Sequence, residues 1–126
     1  MSPNTLSDCV LIIEDNLDGA ESLRLLLEAR GIRAYLAPDG PEGVRMGLEL
    51  RPRAAVVDIG LPGFDGYEVC RRLRRALGPS AKLVAHTAYA GGDAPERAAR
   101  AGFDTLLAKP SEPADLLRLL VPGPVD

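Results

Sequence analysis

The chain has 126 residues, of which 46% are hydrophobic and 26% are charged, and its formal net charge is −3. This length suits a single domain over residues 1–126, and the composition excludes disordered and fibrous proteins. The negative charge and the few aromatic residues argue against nucleic-acid binding. No apolar run approaches the ~20 residues that span a bilayer, and the N-terminus lacks the features of a signal peptide. We therefore expect a cytoplasmic protein without membrane partners.

Short apolar segments alternate with amphipathic stretches, which predicts a parallel sheet covered by helices on both faces. Polar residues within IRAYLA favour an edge position for the second strand. Gly43 and Gly47 weaken the prediction of the second helix, and PGPVD is predicted to be terminal coil. The predicted strands are residues 9–13, 32–37, 54–59, 82–87 and 105–108. The predicted helices begin after Asn16, after Asp39, at about Tyr67, after Asp93 and at Ser111.

Polar side chains follow four of the five predicted strands. Glu14 and Asp15 follow the first strand, Asp58 lies at the end of the third, Thr87 ends the fourth, and Lys109 follows the fifth. Each residue alone is compatible with a loop or capping role. In a doubly wound sheet, however, ligands bind beyond the carboxyl ends of the strands. We therefore expect these five side chains to meet at one edge.

Three carboxylates at close quarters repel one another and require a cation. Oxygen ligands in small number favour Mg²⁺ over zinc. A lysine and a threonine hydroxyl beside such an ion are suited to binding a phosphoryl group. A carboxylate such as Asp58 then acts as the nucleophile and becomes an aspartyl phosphate.

These residues lie in the motifs LIIEDN, VVDIGLPGFDGYE, AHTA and LLAKP, which together resemble the receiver domain of two-component response regulators over about residues 9–121. The resemblance implies a flavodoxin-like (βα)5 fold, a doubly wound α/β sheet of five parallel strands in the order 2-1-3-4-5. It also implies that Asp58 accepts the phosphoryl group and catalyses, with its neighbours, its own phosphorylation and dephosphorylation.

The resemblance assigns roles to the surrounding residues as well. Glu14, Asp15, Asp58 and the backbone carbonyl of Gly60 would bind Mg²⁺. Thr87 and Lys109 would contact the phosphoryl oxygens, and the small residue Ala88 would keep the entrance open. The peptide bond between Lys109 and Pro110 is expected to be cis.

One position departs from the pattern of the family. Many receivers carry a tyrosine or phenylalanine three residues before the lysine, and this chain has Leu106 there. We hypothesise that the phosphorylation signal is transmitted instead by the loop after the fourth strand, with Tyr89 as the mobile aromatic residue. The only histidine, His86, precedes Thr87 on an alternating strand and is expected to be a packed residue pointing away from the site.

The resemblance implies a phosphohistidine on a sensor histidine kinase or on a histidine phosphotransfer protein as the phosphodonor, and a downstream protein that the sequence does not name. The run from Asp58 to Arg74, and Tyr89, look more like receivers of hybrid histidine kinases than like transcriptional regulators. The chain is thus a stand-alone receiver or a receiver excised from a hybrid kinase. Two lower alternatives are an inactive scaffolding receiver and a flavin-binding module, although EDNLDG offers acids where a flavin phosphate needs a Gly/Ser/Thr loop.

Overall fold

In the computed structural model, which describes residues 5–61 and 63–121, strands and helices alternate strictly along the chain. The strands are β1 (Ser7–Ile13), β2 (Arg33–Ala37), β3 (Pro52–Asp58), β4 (Lys82–Thr87) and β5 (Thr105–Ala108). The helices are α1 (Leu17–Ala29), α2 (Gly40–Leu50), α3 (Gly66–Leu77), α4 (Ala94–Ala101) and α5 (Pro113–Leu120). Residues 122–126, predicted to be coil, lie outside the described part of the chain.

The five strands form one parallel sheet in the order β2-β1-β3-β4-β5. This order confirms the predicted flavodoxin-like fold and the edge position of the second strand. None of the helices in the described ranges is both long and apolar enough to cross a membrane.

Both faces of the sheet are buried, because successive side chains of a strand point to opposite sides. In β1, Leu11 and Ile13 pack in the core beneath α2, α3 and α4. Val10 and Ile12 pack in a second core beneath α1 and α5. The strands therefore have little room for polar side chains along their length, and the polar residues concentrate at their ends.

The glycines of α2 are explained by close packing. A Cβ atom on Gly43 would lie 2.6 Å from Cδ1 of Ile13, and one on Gly47 would collide with Leu73 of α3. The cost in helix propensity is offset because the bare face of α2 lies directly against β1 and α3.

Several predicted boundaries were wrong. β3 covers Pro52–Asp58 rather than 54–59, because a proline fits the first position of a strand, where a missing N–H is tolerated. The side chain of Asn16 caps α1 as its place before the helix predicts, and that of Asp39 also caps α2. Asp93, expected to cap α4, makes no capping hydrogen bond. α5 begins after Glu112 instead of at Ser111.

Candidate functional site

The three acidic residues meet at the carboxyl edge of the sheet. β1 and β3 are neighbours with Ile13 opposite Val57, so the residues that follow them lie side by side. Glu14, Asp15 and Asp58 each offer a carboxylate oxygen, and these oxygens all lie within 4.8 Å of one another. The juxtaposition expected from the strand ends is present.

Lys109 reaches this acidic cluster from the end of β5. Its Nζ lies 3.1 Å from Oε1 of Glu14 and 3.3 Å from Oδ2 of Asp58. The backbone N–H of Lys109 donates to the carbonyl of Thr87 at 2.7 Å, and the peptide bond to Pro110 is cis. The lysine therefore bridges two acids from a backbone position that β4 holds.

Burial and mutual contacts shift the pKa values of the charged groups in the cluster. Burial, together with the neighbouring Glu14, raises the pKa of Asp58 to about 6, although Lys109 acts in the opposite direction. Burial also acts to raise the pKa of Glu14, but hydrogen bonds from the Asn16 N–H and from Asp58 and Lys109 outweigh it and lower that pKa. For Lys109, burial is outweighed by Glu14 and Asp58, and its pKa is raised.

Lys109 thus pairs with two of the three carboxylates, and the cluster keeps an excess of negative charge. The three acidic side chains offer only oxygen atoms as ligands, and these atoms are close enough together to bind one ion. Such a set suits a hard divalent cation and fits Mg²⁺ better than zinc.

Thr87 lies at the end of β4, the strand beside Asp58. Its side chain is fully buried, and its Oγ1 accepts a hydrogen bond from the Tyr89 N–H at 2.9 Å. The side chain of Tyr89 is 82% exposed. Ala88, between them, is exposed and lines the same cavity as Asp58. The hydroxyl and the exposed ring are therefore joined through the backbone of one short turn.

Two further predicted residues lie around this edge. Gly60 follows Asp58 by two residues and has a φ of 102°, a conformation that favours glycine. Leu106 is half-buried and packs against the core beneath α2, α3 and α4. The position where many receivers have an aromatic residue is thus occupied by a packed aliphatic side chain.

The expectation that His86 points away from the site was wrong. Asp58 and His86 are direct partners in the β3–β4 register, so their side chains project to the same face of the sheet. His86 lines a cavity of about 620 Å³ together with Asp58 and Lys109, and its Nε2 lies 3.0 Å from Oγ of Ser111. Burial and the nearby Lys109 lower the pKa of His86. It is a packed strand residue as predicted, but one that faces the cavity.

The cavity has a polar end and an apolar end. Glu14, Asp58 and Lys109 form the polar end, and the apolar part extends between α1 and α5 along Leu23 and Leu116. The sequence alone did not reveal the His86–Ser111 contact, because the two residues lie 25 positions apart in the chain. The register of β3 and β4 places His86 on the same face as Asp58, but it does not identify Ser111 as the partner.

Comparison with known proteins agrees with this geometry. The response regulator MprA of Mycobacterium ulcerans is 36% identical over 108 residues, which cover 86% of this chain and 46% of MprA. The chain thus spans about half the length of that relative.

Two solved structures have similar folds. The receiver domain of a sensor histidine kinase from Pseudomonas aeruginosa PAO1, with a magnesium ion in its active-site cleft, is 34% identical with a TM-score of 0.78 and coverage of 90% of this chain and 94% of that one. A response regulator protein from Burkholderia pseudomallei, with a phosphorylated aspartic acid, a calcium ion and citrate, is 28% identical with a TM-score of 0.83 and coverage of 90% and 66%.

The family model of the response regulator receiver domain matches residues 10–121 of this chain. These residues include all five polar side chains at the strand ends and nearly the whole described fold. The chain therefore belongs to the response regulator receiver domain family of two-component signalling.

Proposed function

We propose that Asp58 accepts a phosphoryl group from a phosphohistidine on a sensor histidine kinase or a histidine phosphotransfer protein. A carboxylate oxygen of Asp58 attacks phosphorus, and the bond between phosphorus and the imidazole nitrogen of the partner breaks. That nitrogen keeps the electron pair, and the new P–O bond makes an aspartyl phosphate. The observation that carries the proposal is the bridge of Lys109 to Glu14 at 3.1 Å and to Asp58 at 3.3 Å.

We further propose that Glu14, Asp15, Asp58 and the carbonyl of Gly60 bind the Mg²⁺ on which this reaction depends. The surplus of carboxylates over cations and the raised pKa of Asp58 support a divalent ion at this place. When bound, Mg²⁺ offsets negative charge on the carboxylates and on the phosphoryl oxygens. The magnesium ion in the similar Pseudomonas receiver is consistent with this assignment.

Lys109 and Thr87 have the roles of phosphoryl ligands in this proposal. The ammonium group of Lys109 already lies beside Asp58 and would pair with a phosphoryl oxygen. The Thr87 oxygen accepts from the Tyr89 N–H, which leaves its own proton available for a phosphoryl oxygen. Ala88 is small enough to admit the water that later cleaves the P–O bond and frees the Asp58 carboxylate. The chain would thus catalyse its own phosphorylation and dephosphorylation without being a classical enzyme.

The output signal would pass through the β4–α4 loop. A movement of Thr87 toward a phosphoryl group pulls on the Tyr89 N–H, and Tyr89 carries an exposed ring to the surface. Leu106 lacks a hydroxyl and is packed in the core, so it is not suited to the switching role of an aromatic residue. A downstream protein would then recognise the altered loop around Tyr89.

We further propose that residues 1–126 form one receiver domain that acts in the cytoplasm, without nucleic acid or membrane as a partner. It would act by binding a partner or by passing the phosphoryl group onward. Because a similar structure is the receiver of a sensor histidine kinase, a place within a hybrid kinase is the second candidate setting.

The test is incubation with phosphoramidate and Mg²⁺, followed by intact mass spectrometry. We expect the mass to rise by one phosphoryl group in the wild type and to stay unchanged in Asp58→Asn. Asp65→Asn, at the start of α3, is the matched control and should gain the group as the wild type does. No gain in the wild type, or an equal gain in Asp58→Asn, would contradict the proposal.

A further inference from the structure

His86 and Ser111 form a contact that belongs to none of the roles assigned above. Nε2 of His86 and Oγ of Ser111 share a hydrogen bond of 3.0 Å, and both side chains are half-buried. Ser111 precedes α5, where a serine commonly caps the first turn. Its hydroxyl instead contacts β4, and Glu112 is the residue at the cap position.

This contact closes a short loop of chain around Lys109. On one side, the Lys109 N–H donates to the carbonyl of Thr87 at 2.7 Å. On the other side, Ser111, two residues later, is bound to His86, the residue before Thr87. The backbone that carries Lys109 is therefore attached to two consecutive residues of β4.

His86 also connects this loop to the strand of Asp58. The two residues are register partners, and the carbonyl of His86 accepts a hydrogen bond from the Ile59 N–H at 3.4 Å. One residue thus contacts both the strand that carries the nucleophile and the loop that carries the lysine. All three side chains, His86, Asp58 and Lys109, line the same cavity.

We propose that the His86–Ser111 hydrogen bond is a positioning element that holds Lys109 in line with Asp58 for contact with the phosphoryl group. This inference rests on the proposed function, in which Lys109 binds a phosphoryl oxygen. His86 and Ser111 are positioning residues, because they act through the lysine and not on the reacting atoms. Loss of the hydroxyl allows the Pro110–Ser111 segment to move and widens the range of positions that the lysine samples.

The sequence offers a direct spectroscopic readout. The chain has one histidine and only two lysines, Lys82 and Lys109. Protein labelled with ¹³C at the lysine ε carbon therefore gives two signals, and Lys82, at the opposite end of β4, is an internal reference. We expect Ser111→Ala to shift the Lys109 signal and leave that of Lys82 in place, and Ser111→Thr to restore the wild-type position because it keeps the hydroxyl.

The kinetic readout is phosphorylation by phosphoramidate in the presence of Mg²⁺. We expect the maximal rate of Ser111→Ala to fall about tenfold, since a misplacement of about 1 Å can cost about 100-fold and the lysine keeps its ion pairs here. The half-saturating Mg²⁺ concentration should stay unchanged, because the carboxylates are not altered. Ser22→Ala, a serine that lines the same cavity from α1, is the matched control and should behave as the wild type. His86→Leu should reproduce the effect of Ser111→Ala, and His86→Gln should retain part of the rate.

The outcomes separate the two proposals. An unmoved Lys109 signal and a wild-type rate in Ser111→Ala would overturn the positioning role while leaving the phosphoacceptor role intact. Failure of Ser111→Thr to restore the signal would also overturn it, because the hydroxyl would not be the cause. If the wild type accepts no phosphoryl group, the proposed function fails, and the Lys109 signal still reports whether the serine holds the lysine.

Discussion

The amino ends of the strands, the Arg74 edge, and their carboxyl ends, the Lys109 edge, each place a basic side chain beside one or more carboxylates. The two differ in how completely the charges are paired. At the edge where β4 and β5 begin, the guanidinium of Arg74 makes five hydrogen bonds of 2.6 to 3.0 Å. Its acceptors are the carbonyls of Gly78, Ala81 and Gly102 and the carboxylate of Asp104. That carboxylate also accepts the Leu83 N–H at 2.8 Å.

At the opposite edge, Lys109 pairs with Glu14 and Asp58 in a cluster that also contains Asp15, and the pKa of Asp58 is raised to about 6. Complete pairing at the Arg74 edge joins α3 to the segments before β4 and β5, and so contributes to stability. Incomplete pairing at the Lys109 edge leaves charge available for an ion and a phosphoryl group. The contrast indicates that one edge stabilises the fold and the other is held ready to bind.

The largest expected effect is on the Arg74 edge. We expect Arg74→Met to lower the free energy of unfolding by about 3 kcal/mol, because three carbonyls lose their guanidinium donor and the Asp104 carboxylate keeps only the Leu83 N–H. Arg75→Met, at an exposed neighbour on the same helix, should change it by less than about 0.5 kcal/mol. Urea denaturation at pH 7 measures both, and equal losses in the two variants would show that Arg74 is not special.

The Lys109 edge should respond instead to metal. At a Mg²⁺ concentration 100 times the dissociation constant, we expect the free energy of unfolding to rise by about 2.7 kcal/mol relative to EDTA. Asp15→Asn should weaken Mg²⁺ binding and so reduce this gain, whereas Arg74→Met should keep it. Thermal denaturation with and without Mg²⁺ is the measurement. A reduced gain in the Arg74 variant would mean that the two edges are not independent.

A smaller effect is expected from pH in the absence of Mg²⁺. The pKa of Asp58 is raised from its ordinary value of 3.8 to about 6. The folded protein therefore holds this proton more tightly than the unfolded chain, and the stability gained at low pH is lost as the pH rises through about 6.

The comparison with Asp58→Asn removes this titration, because the amide does not titrate. We expect the stability of Asp58→Asn relative to the wild type to increase by about 2 kcal/mol between pH 4 and pH 7. Urea denaturation in EDTA across this range gives the difference. A difference that does not vary with pH would contradict the raised pKa.

The smallest expected effect on stability is at Tyr89. Since its side chain is 82% exposed, Tyr89→Ala should change the free energy of unfolding by less than about 0.5 kcal/mol. In fluorotyrosine-labelled protein, which has three tyrosines, the resonance that Tyr89→Ala removes should shift most when beryllofluoride and Mg²⁺ are added. If only the Tyr35 or Tyr67 resonance shifts, the signal does not pass through the β4–α4 loop.

Much of the site could be predicted because its residues share a simple property. Glu14, Asp58 and Lys109 each lie at or just after the carboxyl end of a strand, and parallel strands bring those ends together whatever their exact lengths. An error of one residue in the end of β3 therefore did not affect the prediction. The flavodoxin-like strand order followed from the same alternation together with the family resemblance.

Other features could not be predicted, because they depend on contacts between residues that lie far apart in the sequence. Gly43 weakens α2 by helix propensity, yet its lack of a side chain is what allows α2 to lie against Ile13. Asp93 is a residue type that commonly caps a helix, yet its backbone does not adopt a capping conformation. Ser111 is also such a residue type, but its hydroxyl contacts His86, 25 positions earlier. Each depends on which element lies opposite, and that is a property of packing.

By itself, the sequence determined the alternation of strands and helices, the acids and the lysine at the strand ends, and Leu106 at the usual aromatic position. These depend on periodicity and residue type, which are local. Only the tertiary structure decided that His86 faces Asp58 and holds Ser111, and that Arg74 joins α3 to the starts of β4 and β5. The physical reason is register: a shift of one residue between β3 and β4 would turn His86 to the other face, and no short segment of the chain encodes that alignment.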